Sequence, residues 1–270
     1  MLLQGTTAII YGAGGSLGGA VARAMAKQGA KVFVTGRRLG PVKALAAELV
    51  ASGGSAEAAE VDALDAKDVN DYLTDLVRRV GPLGVSFNAI ALQDRQDVPL
   101  IEMTQEDFVR PVRIAMETQF ITGTAAGRIM KEQRAGVILS LTATPGGIGY
   151  PHVGGFGPAC CAIEAFSTNL AAELGPSGVR VVNIRSAGSP DSRVFKEAVD
   201  EGGHRAAAFM QKIKDDTMLK DLPSMADIAN VAVFLASSMA SSITGVTVDV
   251  TCGTTAALNY KVPEIAFLQR

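Results

Sequence analysis

One glycine-rich run, Tyr11-Gly12-Ala13-Gly14-Gly15-Ser16-Leu17-Gly18-Gly19, sets the architecture of this chain. It follows a short apolar run, Thr6–Tyr11, and precedes an amphipathic stretch, Ser16–Gln28, which predicts a turn between a strand and a helix. Such a turn brings free backbone N–H groups and the positive end of a helix to one point, where a pyrophosphate can bind. We therefore expect a dinucleotide-binding unit here, and a glycine turn that serves packing alone is the alternative.

Outward from this turn, short β-branched runs alternate with longer helical stretches. The runs predicted as further strands are Lys31–Thr35, Ala56–Val61, Gly84–Asn88, Gly136–Leu141, Val179–Ile184 and Val246–Val250. The stretches predicted as further helices are Pro41–Ser52, Asp65–Val80, Gln105–Gln133, His152–Leu174 and Met225–Ser238. Apolar strands separated by helices are typical of a parallel sheet that is covered on both faces. We expect an α/β fold with a Rossmann-type doubly wound parallel sheet of about seven strands.

The composition bounds the class of protein. The chain has 270 residues, of which 48% are hydrophobic and 19% charged, with 25 basic against 27 acidic residues. This excludes a disordered chain and gives no electrostatic reason to expect nucleic acid. We expect residues 1–270 to form a single domain, in which the charged, helical stretch 188–223 is a lid on the substrate side.

Cysteine usage and the absence of membrane signals indicate the compartment. Cys160 and Cys161 are adjacent and Cys252 is distant, so no disulfide framework is expected. The sequence has no apolar run of about 18 residues and no basic leader, so we expect neither a membrane span nor a signal peptide. We expect a cytoplasmic protein, and the two histidines give no metal-binding pattern.

Two further positions favour a particular nucleotide. The second predicted strand is followed by Gly36-Arg37-Arg38, where an acidic residue would bind a ribose 2′-hydroxyl and an arginine accommodates a 2′-phosphate. The third predicted strand is followed by Asp62-Ala63, where the carboxylate can accept from an adenine amino group. We therefore expect NADP(H) rather than NAD(H). A solvated arginine pair and an exposed loop aspartate are the alternatives.

These features together resemble the short-chain dehydrogenase/reductase superfamily. The sequences of the long helix and the sixth strand are most similar to those of its enoyl-acyl carrier protein reductases. The glycine turn, Phe87-Asn88-Ala89-Ile90 and Ser186-Ala187-Gly188 carry the resemblance. The resemblance implies that Asn88 stabilises the central sheet, that Ala89 and Ile90 border the cofactor's ribose, and that Gly188 lies beside the nicotinamide. The turn residues that it assigns to the cofactor are Gly12, Gly14, Gly15, Ser16, Leu17 and Gly18.

The catalytic residues of that family do not carry over. Its members use an Asn-Ser-Tyr-Lys tetrad, in which Lys follows Tyr by one helical turn so that both side chains face the cleft. The aligned positions of this chain hold Ala115, Ala143, Phe156 and Cys160, and the enoyl-reductase spacing places Val153 at the Tyr position. Ordinary carbonyl reduction is therefore not expected, whereas an activated acceptor such as a polarised C=C could still be reduced.

Substitute catalytic groups and three functions stay open. Tyr150 and His152 precede the long helix and could supply a proton, or they could be loop residues with no chemical role. Cys160 could be a nucleophile or a buried thiol. The hypotheses are an NADP(H)-dependent oxidoreductase with an atypical proton source, an inactive NADP-binding sensor or partner subunit, and a non-redox enzyme. The ligand is an unidentified small molecule. The resemblance also implies a homo-oligomer, a dimer or tetramer, with contacts through the two longest helices and often through Thr251–Arg270.

Overall fold

The computed structural model describes residues 1–257, apart from the side chains at 194, 198, 199, 201–206 and 209. Its strands form one seven-stranded parallel sheet in the order β3-β2-β1-β4-β5-β6-β7. They are β1 (Thr7–Tyr11), β2 (Lys31–Gly36), β3 (Ser55–Glu60), β4 (Val85–Asn88), β5 (Gly136–Ala143), β6 (Val179–Ser186) and β7 (Thr247–Val250). The sheet confirms the predicted Rossmann-type architecture.

The helices cover both faces of this sheet. They are α1 (Ser16–Lys27), α2 (Leu39–Ala51), α3 (Ala66–Val80), α4 (Gln105–Gln133), α5 (Phe156–Leu174), α6 (Arg193–Asp215) and α7 (Met225–Ala236). Helices α1, α2 and α7 pack on one face, and α3, α4 and α5 pack on the other. Alternation along β1 explains the two layers, since Ala8 and Ile10 join the first core while Ile9 and Tyr11 join the second.

Two predicted elements differ from the structure. Helix α5 begins at Phe156 rather than at His152, because His152 and Gly154 adopt left-handed backbone with φ values of 60° and 54°. Strand β3 is not apolar throughout, because it forms an edge of the sheet where Ser55 and Glu60 are exposed. The segment predicted as helical between 188 and 223 contains α6.

The order of the strands positions the site. Strand β1 lies between β2 and β4, and Tyr11 is paired with Asn88, so the chain reverses its winding direction between β1 and β4. In open α/β sheets a ligand binds in the crevice at such a reversal, beyond the carboxyl ends of the strands. Within residues 1–257, none of the helices combines the length and apolarity that crossing a membrane requires.

Candidate cofactor-binding site

A cavity of about 480 Å³ opens at the carboxyl ends of β1, β2, β3 and β4. It brings together most of the residues predicted from the sequence to bind the cofactor. These are Gly12, Gly14, Gly15, Arg37, Arg38, Asp62, Ala63, Ala89 and Ile90. The cavity therefore unites the glycine turn with the ends of three other strands, as the crevice of a doubly wound sheet requires.

The glycine turn is shaped by the close approach of backbone to backbone. Gly12 has a φ of +73°, and a Cβ at this position would lie 2.6 Å from the carbonyl oxygen of Ala89. A Cβ on Gly18 would lie 2.6 Å from the carbonyl oxygen of Gly12. Gly15 is the residue before α1, and it has no side chain that could cap the helix. The N–H donors in the first turn of α1 therefore stay available to an anion beside the cavity.

Two arginines make part of the cavity wall cationic. Arg37 and Arg38 follow β2, are exposed and line the cavity, and neither guanidinium forms an ion pair with the described side chains. Asp62 is held in the turn after β3, where its backbone N–H donates to Asp68 Oδ2 at 2.7 Å and its Oδ1 accepts from the N–H of Leu64 at 3.0 Å. The part of the wall formed after β2 and β3 thus offers two arginines and one fixed carboxylate.

The other predicted site residues lie around the cavity without lining it. Asn88 is buried, donates to Thr122 Oγ1 at 3.0 Å and accepts from the N–H of Ile90 at 3.1 Å, so it ties β4 to α4 and fixes the turn that carries Ala89. Gly188 is covered by Phe195, whose ring would lie 2.2 Å from a Cβ at that position. Leu17 is half-buried against the core, and Ser16 accepts a hydrogen bond at 3.2 Å from the backbone N–H of Arg193.

The cavity is also lined by residues that the sequence alone does not predict there. Those with side chains that bear on binding are Tyr11, Gln93, Ile114, Thr118 and Arg193. Tyr11 could have been found, since it ends the strand that enters the glycine turn. Arg193 carries no local signal, because it lies 177 positions from Ser16 along the chain.

Two of the four positions aligned with the catalytic tetrad, Ala115 and Phe156, lie in an apolar region. Ala115 is fully buried, and Phe156 packs against a cluster that contains Ala115 together with Leu92, Ile114, Ala159 and Ile163. Cys160 is fully buried, and burial raises the pKa of its thiol to about 12. The thiol is protonated near neutral pH, which argues against Cys160 as a nucleophile.

The hydroxyl groups next to Ala143 are committed to other partners. Thr142 donates to Glu164 Oε1 at 2.9 Å and accepts from Asn183 Nδ2 at 2.7 Å. Glu164 in turn pairs with Arg185, with 2.5 Å between Oε2 and Nη2. This network joins β5 and β6 to α5. Thr142 therefore points toward α5 and serves the packing of the sheet.

Tyr150 and His152 lie in the loop between β5 and α5. Tyr150 is half-buried, whereas His152 is exposed and its carbonyl oxygen accepts from the N–H of Asp97 at 2.8 Å. Neither residue lines the cavity. Among residues 1–257, no group of three His, Cys, Asp or Glu side chains is placed to hold a metal ion.

Residues 12–255 match the protein family described as enoyl-(acyl carrier protein) reductase. An uncharacterised oxidoreductase of Mycobacterium bovis is 30% identical over 261 residues, covering 93% of this chain and 98% of that protein. A short-chain type dehydrogenase/reductase from Mycobacterium ulcerans superposes with a TM-score of 0.88 at 21% identity, covering 96% of this chain and 92% of that one. A gluconate 5-dehydrogenase from Burkholderia cenocepacia, solved with NADP and tartrate, gives a TM-score of 0.86 at 21% identity, covering 95% and 97% of the two chains.

Proposed function

The chain belongs to the short-chain dehydrogenase/reductase superfamily, and we propose that it is an oxidoreductase that binds NADP(H) and acts on an acceptor already activated for hydride transfer. One observation carries the proposal: the cavity joins the uncapped start of α1 to Arg37 and Arg38. A dinucleotide phosphate bears anionic groups at two separate places, and the cavity offers cationic or N–H donors at both.

The residues present fit such a cofactor. Gly14 and Gly15 are exposed at the cavity wall, where a phosphate can approach the backbone closely. Arg37 would bind the 2′-phosphate, and Asp62 would accept from the adenine amino group. The gluconate 5-dehydrogenase with a similar fold was solved with NADP, which supports NADP(H) as the cofactor proposed for this fold.

The apolar region beside the cavity limits the reaction. When bound, NADP(H) supplies or accepts the hydride. Phe156 and Cys160 offer no proton donor at the positions where the family places Tyr and Lys, and a positioned general acid is worth about 10²–10⁴-fold in rate. The proposal therefore favours a polarised C=C, whose reduction depends less on a proton delivered at the moment of hydride transfer. Tyr150 and His152 stay candidates for a later protonation step.

A second candidate function is an NADP-binding protein without turnover. Two features favour it: the apolar cluster around Ala115 and Phe156, and the ring of Phe195 packed against Gly188. In this alternative the nucleotide regulates the protein or a partner and is not consumed.

Calorimetry and a turnover assay together test both candidates. We expect NADPH to bind the full-length protein more tightly than NADH, and Arg37→Asp to weaken NADPH far more than NADH through lost pairing and added repulsion. Equal weakening of both nucleotides would refute the 2′-phosphate role. NADPH consumption with a panel of enones and imines separates the two candidates, since binding without any consumption would leave only the second.

A double substitution tests whether the region next to the cavity is a reductase cleft that lacks its acid. Phe156→Tyr with Cys160→Lys restores the family's pair at its usual spacing. We expect the double variant to gain carbonyl reductase activity, and Phe156→Tyr alone serves as the control. A folded double variant that binds NADPH and reduces no carbonyl would argue against an intact cleft.

A further inference from the structure

Arg193 is brought to the glycine turn by the fold alone. It is the first residue of α6, which follows β6, yet it lines the same cavity as Gly14 and Gly15. Its backbone N–H donates to the hydroxyl of Ser16 at 3.2 Å, and Ser16 is the first residue of α1. The start of α6 is therefore fastened to the start of α1, where the uncapped N–H donors lie.

Among the described residues, the guanidinium of Arg193 has no strong partner. Its side chain is 74% exposed, and its ion pair with Glu197 spans 3.7 Å between Nε and Oε1, which is too long for a hydrogen bond. An exposed pair of this kind contributes little to stability. The guanidinium can thus leave Glu197 for an anion in the cavity at small cost.

The three arginines that line the cavity come from two different parts of the fold. Arg37 and Arg38 follow β2, whereas Arg193 is tied to the first turn of α1. Asp62 is the one carboxylate among the residues that line the cavity, so the described wall carries an excess of positive charge. A ligand with two separated anionic groups complements this arrangement better than one with a single phosphate.

We propose that Arg193 binds the diphosphate of the nucleotide at the start of α1, while Arg37 binds the 2′-phosphate. Because Arg193 begins α6, the diphosphate also holds this helix against the glycine turn. The assignment rests on the proposed nucleotide-binding function and adds to it a residue that recognises NADH and NADPH alike. Arg37 then discriminates between the two nucleotides, and Arg193 does not.

Small nucleotides separate the two roles. ADP carries the diphosphate without a 2′-phosphate, and adenosine 2′-monophosphate carries the reverse. We expect Arg193→Gln to weaken ADP, NADH and NADPH by a common factor of about tenfold and to leave adenosine 2′-monophosphate unchanged. Arg37→Gln should weaken adenosine 2′-monophosphate and NADPH and leave ADP unchanged. Arg193→Lys should retain part of the affinity for ADP, NADH and NADPH, because the positive charge remains although the planar guanidinium is lost.

Lys196→Gln is the matched control, since it removes one positive charge from the same helix at an exposed position that does not line the cavity. Calorimetry of the intact protein gives all these affinities, and circular dichroism checks that each variant is folded. If the unmodified protein binds neither NADPH nor NADH, the proposed function fails. If it binds them and Arg193→Gln binds ADP equally well, only the role of Arg193 fails. Selective weakening of NADPH by Arg193→Gln would also overturn the assignment to the diphosphate.

Discussion

Cys160 and Cys161 are adjacent in sequence and lie in opposite environments. Cys160 is fully buried in α5, whereas Cys161 is exposed, with its thiol 3.7 Å from the carbonyl oxygen of Gly146. Only the thiolate is nucleophilic, and burial raises the pKa of Cys160 to about 12. At about pH 8 we expect iodoacetamide to label Cys161 in the native protein and to spare Cys160. Peptide mapping by mass spectrometry measures this, and equal labelling in the folded state would contradict it.

The same pKa shift has a consequence for stability. Unfolding returns the Cys160 thiol to its ordinary pKa of 9.0. As the pH rises, this thiol therefore ionises in the unfolded chain at a lower pH than in the folded protein. The contribution of this group to stability is complete below about pH 9 and declines as the pH rises toward 12. Cys160→Ala should therefore show a smaller alkaline loss in the free energy of unfolding than the unmodified protein does.

Tyr11 carries a buried hydroxyl that forms no hydrogen bond with the described residues. Burial raises the pKa of this phenol far above its usual range, with a smaller contribution from Tyr72. A buried polar group without a partner costs about 1–3 kcal/mol. We expect Tyr11→Phe to raise the free energy of unfolding, measured with urea, by about 1 kcal/mol. Thr35→Val at the same cavity is the control. It should lower the free energy of unfolding, because the Thr35 hydroxyl donates to the carbonyl oxygen of Ile10. A destabilised Tyr11→Phe variant would mean that the hydroxyl has a partner in solution.

Single residues differ in how far the sequence predicts their place. Gly12 and Arg37 are predictable because they follow strands, and the ends of parallel strands meet at one edge of the sheet. Arg193 is not predictable, because only the fold brings the start of α6 to the start of α1, where its backbone N–H donates to Ser16. The resemblance likewise marks Gly188 as a cofactor residue, yet it cannot reveal that Phe195 covers it.

Helix α3 shows how one element supports the cavity. Asp65 precedes the helix, and its carboxylate accepts from the N–H groups of Lys67 at 2.8 Å and Asp68 at 3.2 Å. Its own N–H donates to the carbonyl oxygen of Asp62 at 2.9 Å, so the cap and the cavity wall share one turn. We expect Asp65→Ala to lower the free energy of unfolding by about 1 kcal/mol in urea titrations.

Asp71→Ala is the control on the same helix. Asp71 pairs with Lys67 at 2.5 Å, and both side chains are largely exposed, so its removal should cost less than about 0.5 kcal/mol. Equal losses for the two variants would indicate that the cap contributes nothing beyond a surface charge.

At the level of elements, the sequence predicts which segments are helices and strands better than where they begin. The predicted start of α5 at His152 is wrong, because helix propensity cannot show that His152 and Gly154 adopt positive φ values. The sequence does not predict the exposed ends of β3, because the place of this strand at the edge follows from the strand order, which no local pattern encodes.

At the scale of the whole molecule, an exposed phenylalanine lies on α4 where it packs beside α5. Phe120 is 60% exposed, and its ring lies 6.4 Å from that of Phe166 on the neighbouring helix. Homo-oligomerisation through these helices stays a prediction from the family resemblance, and the stretch 258–270 of the other expected contact lies outside the described residues. We expect Phe120→Asp to lower the molar mass measured by light scattering.

Leu219→Asp is the comparison for this surface, since Leu219 is 73% exposed but follows α6. It should leave the molar mass unchanged. A Phe120→Asp variant with the mass of the unmodified protein would exclude this face as the contact.

The order of the strands also governs how the chain folds as it is synthesised. The three strands β1, β2 and β3 can pair with one another once Glu60 has emerged, but the other edge of β1 stays open until Asn88 follows. At synthesis rates of about 5–20 residues per second, this leaves a bare apolar strand edge for seconds. The pairing of β1 with β4 at the centre of the sheet thus forms only after the β1, β2 and β3 half is complete, and the nascent chain is exposed to misassociation during that interval.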